Sequence, residues 1–208
     1  MFQQLAASGS KTLYVDQVSP GGWSLLQHAD KNSAALAKIM SSHWDFVVLQ
    51  EQSQIPAYEN LRPGMYRGAR ILDETIRKSS AKTVFFLTWG YRNGDAMNAG
   101  VGKATTFEGM QEELRIGYTT IASELSATTC PVGIAWMNAL HQDPKINLWA
   151  GDNKHPSREG TYLASCAFYA TLLGESPVGL KFTDGINANT ARFLQQVAAK
   201  TCLKIVAK

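Results

Sequence analysis

The chain has 208 residues, 45% hydrophobic and 18% charged, with a net charge of +3 and 17 glycines. A chain of this length and composition can bury a core without staples, which excludes a disordered chain, a collagen-like repeat and a disulfide miniprotein. The longest apolar runs, Phe46 to Leu49 and Val84 to Leu87, fall far short of the roughly 18 residues of a membrane span, and no basic stripe interleaves with aromatics, so neither a membrane span nor a nucleic-acid partner is expected.

Met1 to Ala7 reads as the tail of an amphipathic helix that stops at Gly9. Four short runs rich in Val, Ile, Phe, Tyr and Trp then predict strands: Thr12 to Val18, Asp45 to Gln50, Thr83 to Trp89 and Val132 to Met137. Between and after them, helical spacing predicts helices over Ser33 to Ser42, Met65 to Lys78, Phe107 to Leu125, Gly160 to Leu173 and Ala188 to Thr201. Alternation of strand and helix, with near-continuous apolar strands, predicts an α/β fold: a three-layer α/β/α sandwich with a mainly parallel sheet. A helix ahead of the first strand leaves two readings open, a domain that starts with a helix or an earlier strand absent from this chain. Residues 1–208 read as a single domain.

In parallel sheets ligands gather at the carboxyl ends of strands. Four segments would then share one rim: Ser19 to Ser24, Gln50 to Ser53, Gly90 to Asn93, and Asn138 onward to His155. Gly100-Val101-Gly102-Lys103 does not make a phosphate loop, because Met97 stands where the first glycine is needed and Ala104 replaces Ser/Thr. Cys130, Cys166 and Cys202 form no CxxC motif or Cys/His cluster, so no metal or other cofactor is expected. Their odd number permits at most one bridge within the chain.

The most informative segment is Asp152-Asn153-Lys154-His155-Pro156-Ser157, just ahead of a helix rich in small residues. A carboxylate three residues before a histidine can accept its Nδ1 proton and leave Nε2 facing a cleft as a general base. The plainer alternative is an Asp152 turn, a helix-entry His155 and Ser157 as N-cap. His28 and His43 fit surface positions, and His141 lies on the rim. Gly21-Gly22 fits either an ordinary turn or a close backbone approach to a ligand. Gln50, Glu51 and Gln52 end a strand, where a side-chain amide could donate to an oxyanion or simply meet water.

These blocks resemble the SGNH (GDSL-type) hydrolase superfamily, in particular a bacterial branch with Gln-Glu-Gln-Ser in place of Gly-x-Asn-Asp. The matching pieces are Val18 to Ser24, Asp45 to Ser53 and Asp152 to Ser157, with the stretch Thr161 to Ala170 followed by Gly174 to Gly179 also similar. The resemblance implies a flavodoxin-like SGNH fold with His155 as base, Asp152 as its partner, Gly22 as a backbone oxyanion donor (Gly21 if the alignment slips by one) and Gln52 as the amide donor. It also implies a nucleophilic serine in a Gly-Asp-Ser or Gly-Asn-Ser block, and none occurs here. Met1 to Ala7 resembles the helix after that serine, so the expectation is a chain truncated by one strand and one turn. Ser8 and Ser10 precede a strand, and Ser19, Ser24 and Ser53 lack a strand–turn–helix elbow.

In the superfamily the first strand lies inside the sheet. Its loss would expose inner edges at about 1–3 kcal/mol per unpaired buried group, against a total stability of about 5–15 kcal/mol, which predicts a marginal or aggregation-prone chain. The expected function is serine ester hydrolysis with the nucleophile outside this chain. Carbohydrate O-acetyl esters are the favoured substrates, with Gln50, Trp23, Trp89 and Tyr91 contacting them; Trp149 is a further stacking face, and three of these four aromatics fit core positions equally well. The alternative is a catalytically inactive glycan- or small-molecule-binding module. A flavodoxin-like cofactor binder is a third reading, but the sequence lacks the phosphate-cradling loop it needs. A periplasmic or secreted location would follow from an upstream signal peptide.

Overall fold

The structure, a computed structural model, describes residues 1–95 and 103–203. Gly100 to Gly102 and Met97, weighed above as a phosphate loop, lie outside the described residues. In chain order the elements are α1 (Phe2–Ser8), α2 (Leu25–His28), α3 (Ala34–Met40), β1 (Phe46–Leu49), a 3₁₀ turn (Ile55–Ala57), α4 (Arg62–Lys78), β2 (Lys82–Phe86), α5 (Phe107–Glu124), β3 (Thr128–Cys130), α6 (Val132–Gln142), α7 (Arg158–Leu173) and α8 (Ala188–Cys202).

The fold is α/β, as expected, with a small sheet in the order β1-β2-β3. Strands β1 and β2 run parallel, Phe46 opposite Lys82 through Leu49 opposite Phe85. The residues group into two compact units, one of Asp16–Thr88 with Gly94–Thr129, the other of Met1–Val15, Trp89–Asn93 and the chain from Cys130 onward.

In the first of these units, α4 buries Met65, Ala69, Leu72 and Ile76, and α5 buries Met110, Leu114, Tyr118 and Ile121, with Val84 and Phe85 of β2 fully enclosed. Both faces follow a helical repeat, and Ile71, apolar in the sequence of α4, falls outside the buried face and is exposed. Two glycines allow close approach: a Cβ on Gly68 would lie 2.5 Å from the Leu25 backbone, and one on Gly117 would lie 2.6 Å from the Pro56 carbonyl. The N-terminus of α2 and the 3₁₀ turn are thereby seated against α4 and α5.

In the other unit, α7 is buried from Tyr162 through Ala170. Its small residues let α1, α6 and α8 all pack on it. The buried Gln195 of α8 donates to Tyr162 Oη at 2.8 Å and to the Leu180 carbonyl at 2.9 Å and accepts the Gly179 N–H at 2.9 Å, which satisfies its amide in full view of the apolar core. All three cysteines are free thiols.

Two expected strands are absent. Thr12 to Val18 takes up no regular secondary structure, and Tyr14 and Val15 are exposed. Its composition favours a strand, but β-propensity expresses packing against a partner, and no described strand pairs with it. Val132 to Met137 is the start of α6, and the strand is the shorter Thr128–Cys130 just before it. Pro131 ends that strand, and the buried positions Val132, Ala135, Trp136 and Ala139 repeat with the helical period, which a six-residue apolar window does not separate from a strand. The segment from Asn138 to Gln142, expected on a loop at the rim, is therefore helical, with His141 exposed in its last turn.

Candidate active site

The loop between α6 and α7 folds back on itself. Trp149 and Pro156 form an antiparallel bridge, the Ala150 N–H reaches the His155 carbonyl at 2.8 Å, and the Ser157 N–H reaches that of Leu148 at 2.8 Å. At the tip Asn153 takes φ +60°, a left-handed conformation that asparagine tolerates better than most residues, and its N–H bonds the Ala150 carbonyl at 3.0 Å. Ser157 caps α7, accepting the Gly160 N–H at 3.1 Å while donating to the Asn147 carbonyl at 2.9 Å.

This loop sets the Asp152 carboxylate in two directions. Oδ1 accepts the backbone N–H groups of Lys154 at 3.0 Å and His155 at 2.9 Å, and Oδ2 pairs with Nδ1 of His155. The imidazole hydrogen bond, then the two N–H groups, hold Asp152 well below the usual carboxylate range. It is therefore an ionised acceptor that fixes Nδ1–H on His155 and leaves Nε2 unprotonated in the neutral ring. The His155 side chain is 80% exposed and that of Asp152 is 46% exposed. A pair standing in water adds little to stability.

The segment Trp89–Asn93 clamps this loop. Trp89 Nε1 donates to the Lys154 carbonyl at 2.9 Å, and its ring stacks on Trp136 at 4.3 Å and 9°. Trp149 meets Trp136 edge-on at 5.5 Å and donates Nε1 to the Gly90 carbonyl at 3.1 Å. The Arg92 guanidinium lies 5.2 Å over the Trp149 ring and donates to Asn153 Oδ1 at 3.2 Å and Asn147 Oδ1 at 3.0 Å, and its backbone N–H reaches the Asn153 carbonyl at 2.9 Å. Tyr91 is buried beneath the Lys154 ammonium, 5.1 Å from its ring centre. Trp89 and Tyr91, expected to contact substrate, both touch Lys154 in the loop that carries His155.

The other unit holds Gly22, Trp23, Gln50 and Gln52. Gly22 sits third in the turn from Pro20 to Trp23 with φ +75°, the position where a type II turn requires glycine. Among the described residues no acceptor engages its N–H. Trp23 is 37% exposed and leans on the half-buried His28 at 5.3 Å. Gln50 is exposed.

The Gln52 side chain is held by its oxygen, which accepts the N–H groups of Gln54 at 2.9 Å and Ile55 at 3.3 Å. Between these two glutamines of the strand end, Glu51 is buried. Its carboxylate accepts the Gln52 N–H at 2.7 Å and the Leu25 N–H at 3.1 and 3.2 Å, and burial pushes its pKa up to about 7 against the pull of those hydrogen bonds.

Of the serines weighed as nucleophiles, Ser19 is exposed and Ser53 half-buried. Ser24 makes a capping box with Gln27, a Ser-x-x-Gln signature that was legible in the sequence and predicts the short helix α2. Ser8 donates to the Leu5 carbonyl at 2.7 Å, and Ser10 occupies a turn with φ 62°. No described serine hydrogen-bonds the imidazole of His155. Among the described residues no group of three or more His, Cys, Asp or Glu side chains could hold a metal ion, and no helix is long and apolar enough to cross a membrane.

Two solved structures share this architecture. A DUF4886 family protein from Bacteroides uniformis superposes with a TM-score of 0.77 at 16% identity, over 97% of this chain and 87% of that one. A candidate SGNH hydrolase from Slackia heliotrinireducens superposes with a TM-score of 0.66 at 25% identity, over 81% of this chain and 89% of that one. The fold is SGNH-like. No protein-family profile and no curated protein sequence matches the chain.

Proposed function

We propose that the chain carries the acid–base and oxyanion groups of an SGNH-type serine ester hydrolase. The observation that carries this reading is the Asp152–His155 pair: an exposed hydrogen bond of little structural value, built by a loop whose backbone, cap and aromatic clamp all serve to aim it. A serine hydroxyl attacks the ester carbonyl and passes its proton to Nε2 of His155. His155 returns that proton to the departing alcohol oxygen; water, giving its proton to Nε2, then attacks the acyl-serine and releases the acid as the serine oxygen regains that proton, while Asp152 orients the ring and stabilises the imidazolium. The Gly22 N–H and the Gln52 amide donate to the oxyanion.

Carbohydrate O-acetyl esters suit the site on the strength of Trp23, whose exposed face adjoins the Gly22 turn and can stack on a sugar, with Gln50 as a further polar contact. The test is hydrolysis of acetylated sugars and aryl acetates by the native protein. His155→Ala is expected to lower kcat by about 10²–10⁴-fold with the fold intact. Equal turnover by the wild type and His155→Ala would contradict the proposal. The second reading, a binding module without turnover, draws on the lack of a described serine on His155; saturable glycan binding without hydrolysis would establish it.

A further inference from the structure

Asp95, Gln54 and Gln52 are joined in a hydrogen-bonded chain of one carboxylate and two amides. Asp95 is 2% exposed, and its Oδ2 accepts the Tyr58 hydroxyl and Gln54 Nε2, each at 2.7 Å. Gln54 Oε1 in turn accepts Gln52 Nε2 at 3.3 Å. A carboxylate can only accept, so the end of Gln54 that faces Asp95 must be its NH₂. The opposite end is then a carbonyl oxygen, and only the NH₂ of Gln52 can meet it. Two backbone N–H groups independently claim the Gln52 oxygen. Both constraints select the same amide orientation, with the NH₂ turned away from the backbone and one of its two hydrogens not needed by Gln54.

We infer that Asp95 and Gln54 are positioning residues that lock the Gln52 side chain as a hydrogen-bond donor. This rests on the oxyanion role proposed above for Gln52. Asp95 lies 41 residues from Gln54, so the two ends of the hydrogen-bonded chain come from different parts of the sequence. Replacing the carboxylate by an amide removes its exclusive acceptor character and lets Gln54 turn over, which offers an NH₂ instead of an oxygen to Gln52 and competes with the donor orientation.

The test uses the full chain with Asp95→Asn, Gln54→Met and Gln52→Leu, and Thr83→Val as a control that removes a remote buried hydrogen bond to Asp73. Two quantities are measured: the proton–nitrogen correlation of the Gln52 side-chain NH₂, and kcat and KM for an aryl acetate. Gln52→Leu is expected to lower kcat about 100-fold, and Asp95→Asn and Gln54→Met about tenfold with KM within about twofold. Both positioning variants should also shift the Gln52 NH₂ signals, and Thr83→Val should shift neither signal nor kcat. If Gln52→Leu loses turnover while Asp95→Asn and Gln54→Met keep wild-type kcat and unmoved Gln52 signals, the inference falls and the oxyanion reading stands. If Gln52→Leu keeps wild-type kcat, Gln52 is no donor in the reaction and the inference falls with that reading. In the absence of any turnover the NH₂ signals decide alone: movement in Asp95→Asn supports the locked orientation, and unmoved signals overturn it.

Discussion

Both carboxylate oxygens of Glu51 accept the backbone N–H of Leu25, at 3.1 and 3.2 Å, so the chain two residues past β1 is tied to the first turn of α2. The same carboxylate holds the Gln52 N–H. One buried acidic group therefore fixes the Gly22 turn, whose chain leads into α2, relative to Gln52.

That burial has a consequence for stability. The Glu51 carboxyl, raised by burial from 4.5 to about 7, keeps its proton in the folded chain at pH values where the unfolded chain has lost it. Stability therefore falls as pH rises from about 4.5 to about 7, by an amount on the order of 3 kcal/mol at most, and levels off above. Urea melts at pH 5, 6, 7 and 8 are expected to show this decline in the wild type and its loss in Glu51→Gln. Parallel pH profiles for the two proteins would show that Glu51 is ionised throughout.

Gly160 opens α7 against the indole of Trp136. An added Cβ would meet the Leu148 carbonyl at 2.3 Å and Trp136 Cη2 at 2.4 Å. Gly160→Ala is expected to cost about 1–3 kcal/mol and to displace the loop that ends at Ser157. Thermal unfolding gives the first effect and the lost ester turnover the second.

The Asp152–His155 element and Ser157 as its neighbouring cap were readable because each interaction spans only three residues. The amphipathic helices were readable because their buried faces repeat locally, and the strands at Phe46–Leu49 and Lys82–Phe86 because each carries a short continuous apolar run. What escaped depends on distant partners. Thr12 to Val18 has strand composition without a ladder, and Val132 to Met137 is too short for its period to declare a helix. The contacts of Trp89 and Tyr91 with Lys154, more than sixty residues away, and of Asp95 with Gln54 join distant parts of the chain and leave no local signal. The capping box at Ser24 and Gln27 was local and could have been found.

Arg92 braces the candidate site without touching His155 itself. Its loss frees Asn147 and Asn153 at once, while its own exposure limits what it adds to overall stability. Arg92→Met is expected to lower kcat by about tenfold with little change in melting temperature, and Arg92→Lys to recover only part of it, because an ammonium lacks the planar fork that reaches two amide oxygens. Wild-type kcat in Arg92→Met would show that the loop holds its shape through Trp89 and Trp149 alone.

The Gly22 turn separates conformation from space. A Cβ there meets nothing within 4 Å, so any penalty in Gly22→Ala comes from φ +75°, about 1–2 kcal/mol. Gly21 is equally open and is free of that φ. Gly22→Ala is expected to lower kcat well below that of Gly21→Ala. The reverse order would move the oxyanion donor to Gly21.

If His155 activates a serine, that serine will react with an electrophile that mimics an ester. Incubation of the native protein with a serine-directed fluorophosphonate, followed by intact mass and peptide mapping, tests it most directly. A single phosphonylated serine is expected in the wild type, with labelling lost in His155→Ala and strongly slowed in Asp152→Asn. A native protein that stays unlabelled, or one labelled equally well without His155, would contradict it.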